Sequence, residues 1–188
     1  MVAIGSGPIR IGQGIEFDYG CVHAVHAIRD AGKTAVLINN NPETVSTDFD
    51  TSDRLYFEPL TSEYTTEVLL REQADGILLQ FGGQTAINLA EPIKSRIPLM
   101  KEFGFDLKIL GTSYDSIDEA SDRERFEAFA KRIGIRMPIG STGYTPDDVR
   151  KATHEIGFPV LIRPSYVLGG RGMEILSNQK QLLSLIHI

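Results

Sequence analysis

The chain has no tryptophan, a single cysteine and no surplus of basic residues. The lone Cys21 excludes an internal disulfide and fits a reducing compartment, with the cytoplasm as the expected location. A free cysteine is most often a small buried apolar residue, and Cys21 is read that way. Lys plus Arg number 19 against 25 Asp plus Glu, a formal net charge of −6. That balance argues against a surface that wraps nucleic acid, but leaves room for a local basic site for a small phosphate ligand. No apolar run approaches the roughly 18 residues that span a bilayer, so no membrane partner is expected. A basic leader followed by an apolar stretch is also missing from the first residues, so no secretory signal is expected. The chain opens almost inside a strand, at Met1-Val2-Ala3-Ile4, so the natural protein is expected to start earlier.

What is present is an alternation of strand-like and helix-like segments. Val2–Ile4, 35–38, 55–57, 76–80 and 109–111 read as short apolar strands. Between them, 18–31, 66–72 and 85–97 read as helices. The first of these carries Val22, Val25 and Ile28 on one face and Gly32 as its stop. Such alternation predicts a mainly parallel sheet with helices on both faces. Residues 114–133 read as a charged helix and mark a change of unit within 110–122. Thr145-Pro146-Asp147-Asp148 opens a further helix with a cap, a first-turn proline and a capping-box acid, and Gly157 closes it. Residues 160–163 and 173–176 read as strands on either side of a glycine-rich turn.

The segment Gly5-Ser6-Gly7-Pro8-Ile9-Arg10-Ile11-Gly12-Gln13-Gly14 follows the first strand, where a doubly wound sheet opens its crevice. A dinucleotide fingerprint would need glycine at position 10, which is Arg10. Pro8 removes a phosphate-binding N–H, and Ile38-Asn39-Asn40 offers no ribose-binding acid. NAD is therefore not expected. Glu16 and Asp18 fit either a polar site or the acid-favouring first turn of a helix. Residues 39–50 and Phe81-Gly82-Gly83-Gln84-Thr85 follow strand ends, where turn chemistry and ligand binding are both open. Arg163, followed by a loop holding Gly169, Gly170 and Gly172, suits a lid over phosphates or a plain hairpin turn. His23 and His26 lie three apart with no third ligand evident, and are read as ordinary helix histidines.

Residues 7–19, 41–60, 82–85, 122–126 and 163–171 together resemble the carbamoyl-phosphate synthase large subunit, and the resemblance runs over nearly the whole chain. Glu43-Thr44-Val45-Ser46-Thr47-Asp48 and Tyr166-Val167-Leu168-Gly169-Gly170-Arg171 are similar to its second, carbamate-phosphorylating half. The resemblance implies an α/β fold with a Rossmann-like pre-ATP-grasp domain over 1–112, followed by the beginning of an ATP-grasp domain over 113–188. It implies an ATP-dependent ligase making carbamoyl phosphate from bicarbonate, ammonia and two ATP, with a glutaminase small subunit as partner. The pathways implied are pyrimidine and arginine biosynthesis. Arg123 and Arg163 would contact nucleotide phosphates, and Arg163 would serve the reaction itself. Gly169 and Gly170 would close over the phosphates with Arg171 beside them, and Arg10, Gly14 and Glu16 would line the passage for carbamate.

The family's Mg2+ or Mn2+ ligands and adenine-gripping groups are expected beyond Ile188, with no metal ligand in this chain. The chain alone is accordingly expected to be inactive. Residues 93–105 look longer than the family's usual segment and are read as a surface insertion, and 183–188 fit no family pattern. Two other readings remain: a non-catalytic module that holds nucleotide or docks a subunit, and a different ATP-grasp ligase such as a biotin carboxylase relative. Residues 41–60 argue against the latter.

Overall fold

The computed structural model describes residues 1–164 and 172–186. Two compact units divide at Phe126/Glu127. In the first, five strands, β1 (Val2–Ile4), β2 (Val36–Ile38), β3 (Arg54–Tyr56), β4 (Gly76–Leu78) and β5 (Lys108–Leu110), form one sheet in the order β3-β2-β1-β4-β5. All pairings are parallel; Ala3 stands beside Leu37 on one side and Leu78 on the other. The order reverses between β1 and β4, so the connections after these strands diverge and leave a crevice at the carboxyl end of the sheet.

Alternation within these short strands divides the core. Ala3 and Leu37 face α1 (Glu16–Asp30), where Cys21, Val25 and Ile28 are buried. Val2, Ile4, Val36, Ile38 and Ile77 face the other way, with Val68 and Leu69 of α2 (Ser62–Arg71) in the same cluster. Ala86 of α3 (Gly83–Ile87) and Ile93 and Met100 of α4 (Ala90–Glu102) complete that side. Both faces are therefore covered by helices, as the alternation predicts.

Four expectations need correction. Helix α2 begins at Ser62 rather than 66, because the Thr61 hydroxyl accepts the Tyr64 N–H and caps it. The helix read over 85–97 is two helices. Pro92 has no N–H to donate to the Asn88 carbonyl and falls in the first turn of α4, where that N–H would have no partner within α4; Pro98 lies farther along the same helix. The supposed surface insertion at 93–105 is largely this helix, and it buries Ile93 and Met100 in the core. The charged helix read over 114–133 also divides, into α5 (Tyr114–Ser121) and α6 (Arg123–Arg132). Asp122 between them is extended, and its carboxylate accepts the Arg125 N–H at 2.8 Å as a new cap.

In the second unit, α7 (Pro146–Ile156) starts with the full Thr145–Asp148 capping box and is followed by Gly157 at φ 84°. Strands β6 (Val160–Ile162) and β7 (Glu174–Leu176) pair antiparallel. Helix α8 (Gln179–Ile186), not expected from the sequence, puts Leu182 into a core with Val160 and Leu176, and Leu185 packs against them. Residues 183–186 thus belong to a packed helix. Among the described residues no helix is long and apolar enough to cross a membrane.

Candidate functional site

The crevice is built from the segments that leave β1, β2 and β4. Its organiser is Asn39, which is only 1% exposed at the end of β2. The Gly7 N–H donates to Asn39 Oδ1 at 3.0 Å, and Asn39 Nδ2 donates to the Ser46 hydroxyl at 3.0 Å. The Ser46 N–H in turn donates to Asp18 Oδ1 at 3.2 Å. One buried network therefore fixes the loop after β1, the segment after β2 and the start of α1. Gly5 and Gly82 let these backbones approach: a methyl on Gly5 would strike the Asn39 side chain, and one on Gly82 would strike the Gly5 carbonyl.

Replacing Asn39 with alanine leaves the Gly7 N–H and the Ser46 hydroxyl without their partner. It is expected to cost about 2–3 kcal/mol. The check is a lower urea midpoint at unchanged slope, followed by far-ultraviolet circular dichroism.

Against this framework the expected residues fall into three groups. Arg10, Gly14 and Glu16 share the loop after β1 and are all exposed. Glu16 opens α1, and its Oε1 accepts the Gly14 N–H at 3.1 Å, so the carboxylate braces its own loop. The Arg10 N–H donates to Gln13 Oε1 at 3.1 Å, and Arg10 lines the crevice without an ion pair among the described residues. Arg123 is the exposed first residue of α6 in the first unit, and Arg163 is exposed just after β6 in the second. Gly169, Gly170 and Arg171 lie outside the described residues.

A hollow of about 350 Å³ in the crevice is lined by Ser6, Gly7, Arg10, Asn40 and Thr85, among others. A larger one of about 450 Å³ sits at the opposite end of the sheet, beside Met1, Lys33, Asp75 and Lys108. Parallel sheets bind ligands at their carboxyl ends, so the smaller hollow is the site. Sequence reasoning marked the segments holding Asn39, Asn40 and Thr85 but did not single these residues out; three asparagines before a proline read equally as a turn.

The remaining reactive groups are accounted for structurally. Cys21 is fully buried, its thiol 3.5 Å from the Ile4 carbonyl oxygen. Burial first, and the Asp18 charge second, push its pKa up to about 12. At pH 8 it should therefore react about 10³-fold more slowly than free cysteine with an aromatic disulfide reagent; labelling at the free-cysteine rate would contradict this. His23 and His26 are exposed, with ring centroids 6.3 Å apart, and His23 tilts against Tyr19. Among the described residues no three His, Cys, Asp or Glu come together to hold a metal ion.

Fold and crevice define an α/β domain of the pre-ATP-grasp class, leading into the opening of an ATP-grasp domain. The chain belongs to the family of the carbamoyl phosphate synthase preATP-grasp domain, which matches residues 1–119; the carbamoyl-phosphate synthase L chain ATP binding domain matches 122–188. Among solved structures, the chain is similar to the biotin carboxylase domain of Hydrogenobacter thermophilus 2-oxoglutarate carboxylase, which is in complex with MgADP, ADP and bicarbonate. That match has a TM-score of 0.67 and 24% identity, and covers 97% of this chain and 39% of the other. The N5-carboxyaminoimidazole ribonucleotide synthetase of Thermus thermophilus matches with a TM-score of 0.63 at 18% identity, over 98% of this chain and 42% of that one. At these identities the likeness is one of fold, and the chain spans about two fifths of each relative.

Proposed function

We propose that the chain is part of a carbamoyl-phosphate synthase large subunit, from the half that phosphorylates carbamate. The observation that carries this reading is the succession of the two synthase domains along one chain, over 1–119 and then 122–188. The motifs at 43–48 and 166–171 favour the second half over the first.

In the proposed reaction a carbamate oxygen forms a bond to the γ-phosphorus of ATP, and the bond from that phosphorus to the ADP oxygen breaks. Carbamoyl phosphate and ADP result. Such transfer depends on positioning and charge neutralisation more than on covalent chemistry by the protein. Arg123 and Arg163 would neutralise phosphate oxygens, with Gly169, Gly170 and Arg171 closing over them. Arg10, Gly14 and Glu16 would line the approach of carbamate. A magnesium or manganese ion bound with the nucleotide would offset phosphate charge, and no group of three His, Cys, Asp or Glu among the described residues would hold it. A glutaminase subunit would supply ammonia to the complete enzyme.

The test is the complete gene product supplied with labelled bicarbonate, ammonium and ATP. Label in carbamoyl phosphate supports the reading, and its absence from active protein sinks it. A biotin carboxylase relative is the second reading, favoured by the superposition on such a domain. It predicts carboxylation of free biotin and no carbamoyl phosphate from ammonium.

A further inference from the structure

We propose that Phe17 is a positioning residue of the crevice: its ring, seated on Gly83, ties the first turn of α1 to the segment after β4 and so sets Thr85 against Arg10 and Glu16. The inference rests on the reading above and adds to it a residue that acts through others.

Three consecutive residues open α1, and each reaches a different segment of the crevice. Glu16 Oε1 accepts the Gly14 N–H in the loop after β1, at 3.1 Å. Asp18 Oδ1 accepts the Ser46 N–H in the segment after β2, at 3.2 Å. Between them Phe17 meets Gly83, which opens α3 after β4. Successive helical residues point about 100° apart, so one turn can serve three directions at once. Two of the ties are hydrogen bonds. The third is a ring on bare backbone.

That third contact is close. A Cβ built on Gly83 would lie 3.1 Å from Cδ1, Cδ2 and Cε1 of Phe17 alike. A point equally far from three ring carbons lies on the ring axis, so the glycine covers the face of the ring. A side chain at 83 would push the ring away, and the φ of 60° there favours glycine as well. A second ring repeats the arrangement in reverse. One turn further along α1, a Cβ on Gly20 would lie 3.4 Å from Cδ1 of Phe81, the residue before Gly82. Phe17 reaches from the helix to the segment after β4, and Phe81 reaches back. The two differ in what else they hold. Phe81 packs against the cluster of Ala3, Cys21, Val25 and Leu37, whereas Phe17 joins neither apolar cluster of this unit. Phe17 can therefore be trimmed without opening the core. Thr85 follows Gly83 by two residues and lines the hollow together with Arg10. What Phe17 fixes is the spacing of that wall. A misplacement of about 1 Å can cost about 10²-fold in rate even where no reacting group is lost.

The test compares two rates in the complete protein, with folding checked by far-ultraviolet circular dichroism. One is carbamoyl phosphate synthesis from labelled bicarbonate, ammonium and ATP, which brings carbamate past Arg10 and Glu16. The other is ATP formation from ADP and carbamoyl phosphate, which starts at the phosphates. Phe17→Ala is expected to lower the first about tenfold and to leave the second within about twofold. Phe17→Leu, which keeps an apolar side chain over Gly83, should lower synthesis only about threefold, again with ATP formation unmoved. A purely structural role would move both rates together. If Phe17→Ala does not fold, the split in Phe17→Leu decides. Unchanged synthesis in folded Phe17→Ala overturns the proposal, as does an equal fall of both rates in folded Phe17→Leu. A wild-type protein that makes no carbamoyl phosphate sinks the reading above. Wild-type synthesis with no split in either variant overturns this inference alone.

Discussion

Arg163→Ala in the complete protein is expected to lower ATP formation from ADP and carbamoyl phosphate by about 10²–10³-fold, the cost of removing one preorganised charge from a transition state. The residue stands exposed at the end of β6, outside the small core of Val160, Leu176 and Leu182. The loss should appear in turnover, measured at a temperature where both proteins are fully folded. Arg163→Lys keeps the charge but not the planar fork, and should recover part of the rate. Arg123→Ala is expected to act in the same direction. Full activity in Arg163→Ala would remove the arginine from the proposed machinery.

The second large effect is on stability. Gly82→Ala is expected to destabilise the first unit by about 3 kcal/mol, at the upper end of what overpacking costs. The added methyl would collide with the Gly5 carbonyl, which is backbone, and with the Ala86 side chain in α3. Neither can swing aside as a long side chain would. Gly104→Ala is the control: nothing lies within 4 Å, so only its φ of 87° opposes the substitution. That should cost about 1 kcal/mol. Urea midpoints measured side by side decide the matter. Gly82 has a φ of −88° and no backbone strain of its own, so equal losses would show that the loops after β1 and β4 give way to the methyl.

Legibility in the sequence tracks the range of the interactions. Strands β1, β2 and β4 are visible because each is an apolar run bounded by glycine or polar residues. The start of α7 is visible because Thr145, Pro146 and Asp148 carry the whole signal within four positions. Where local signals compete, the boundaries blur. Asp122 sits in a charged run that looks like one continuous solvated face, yet it ends α5 and caps α6. Thr61 is hard to single out as the cap of α2 for a similar reason, since β-branched residues also suit the strand before it.

The crevice network is not legible at all. Asn39 bonds to residues 32 positions before it and seven after it. Asp18 meets Ser46 across 28 residues, and only the folded sheet brings them together. Arg10 and Glu16 are marked by family resemblance. Phe17 needs the structure, because only the fold brings Gly83 to its ring.

Large apolar side chains on the segments after β1 and β2 and on α1 stand exposed: Ile11, Ile15, Tyr19, Val45 and Phe49, the last 95% exposed. Surfaces of this kind make a protein colloidally fragile, whatever its folding free energy. A net charge of −6 gives repulsion that salt screens. Handled alone, the chain should stay dispersed in dilute, low-salt buffer and cloud as ionic strength rises, the reverse of the salting-in usually relied on to keep a preparation clear.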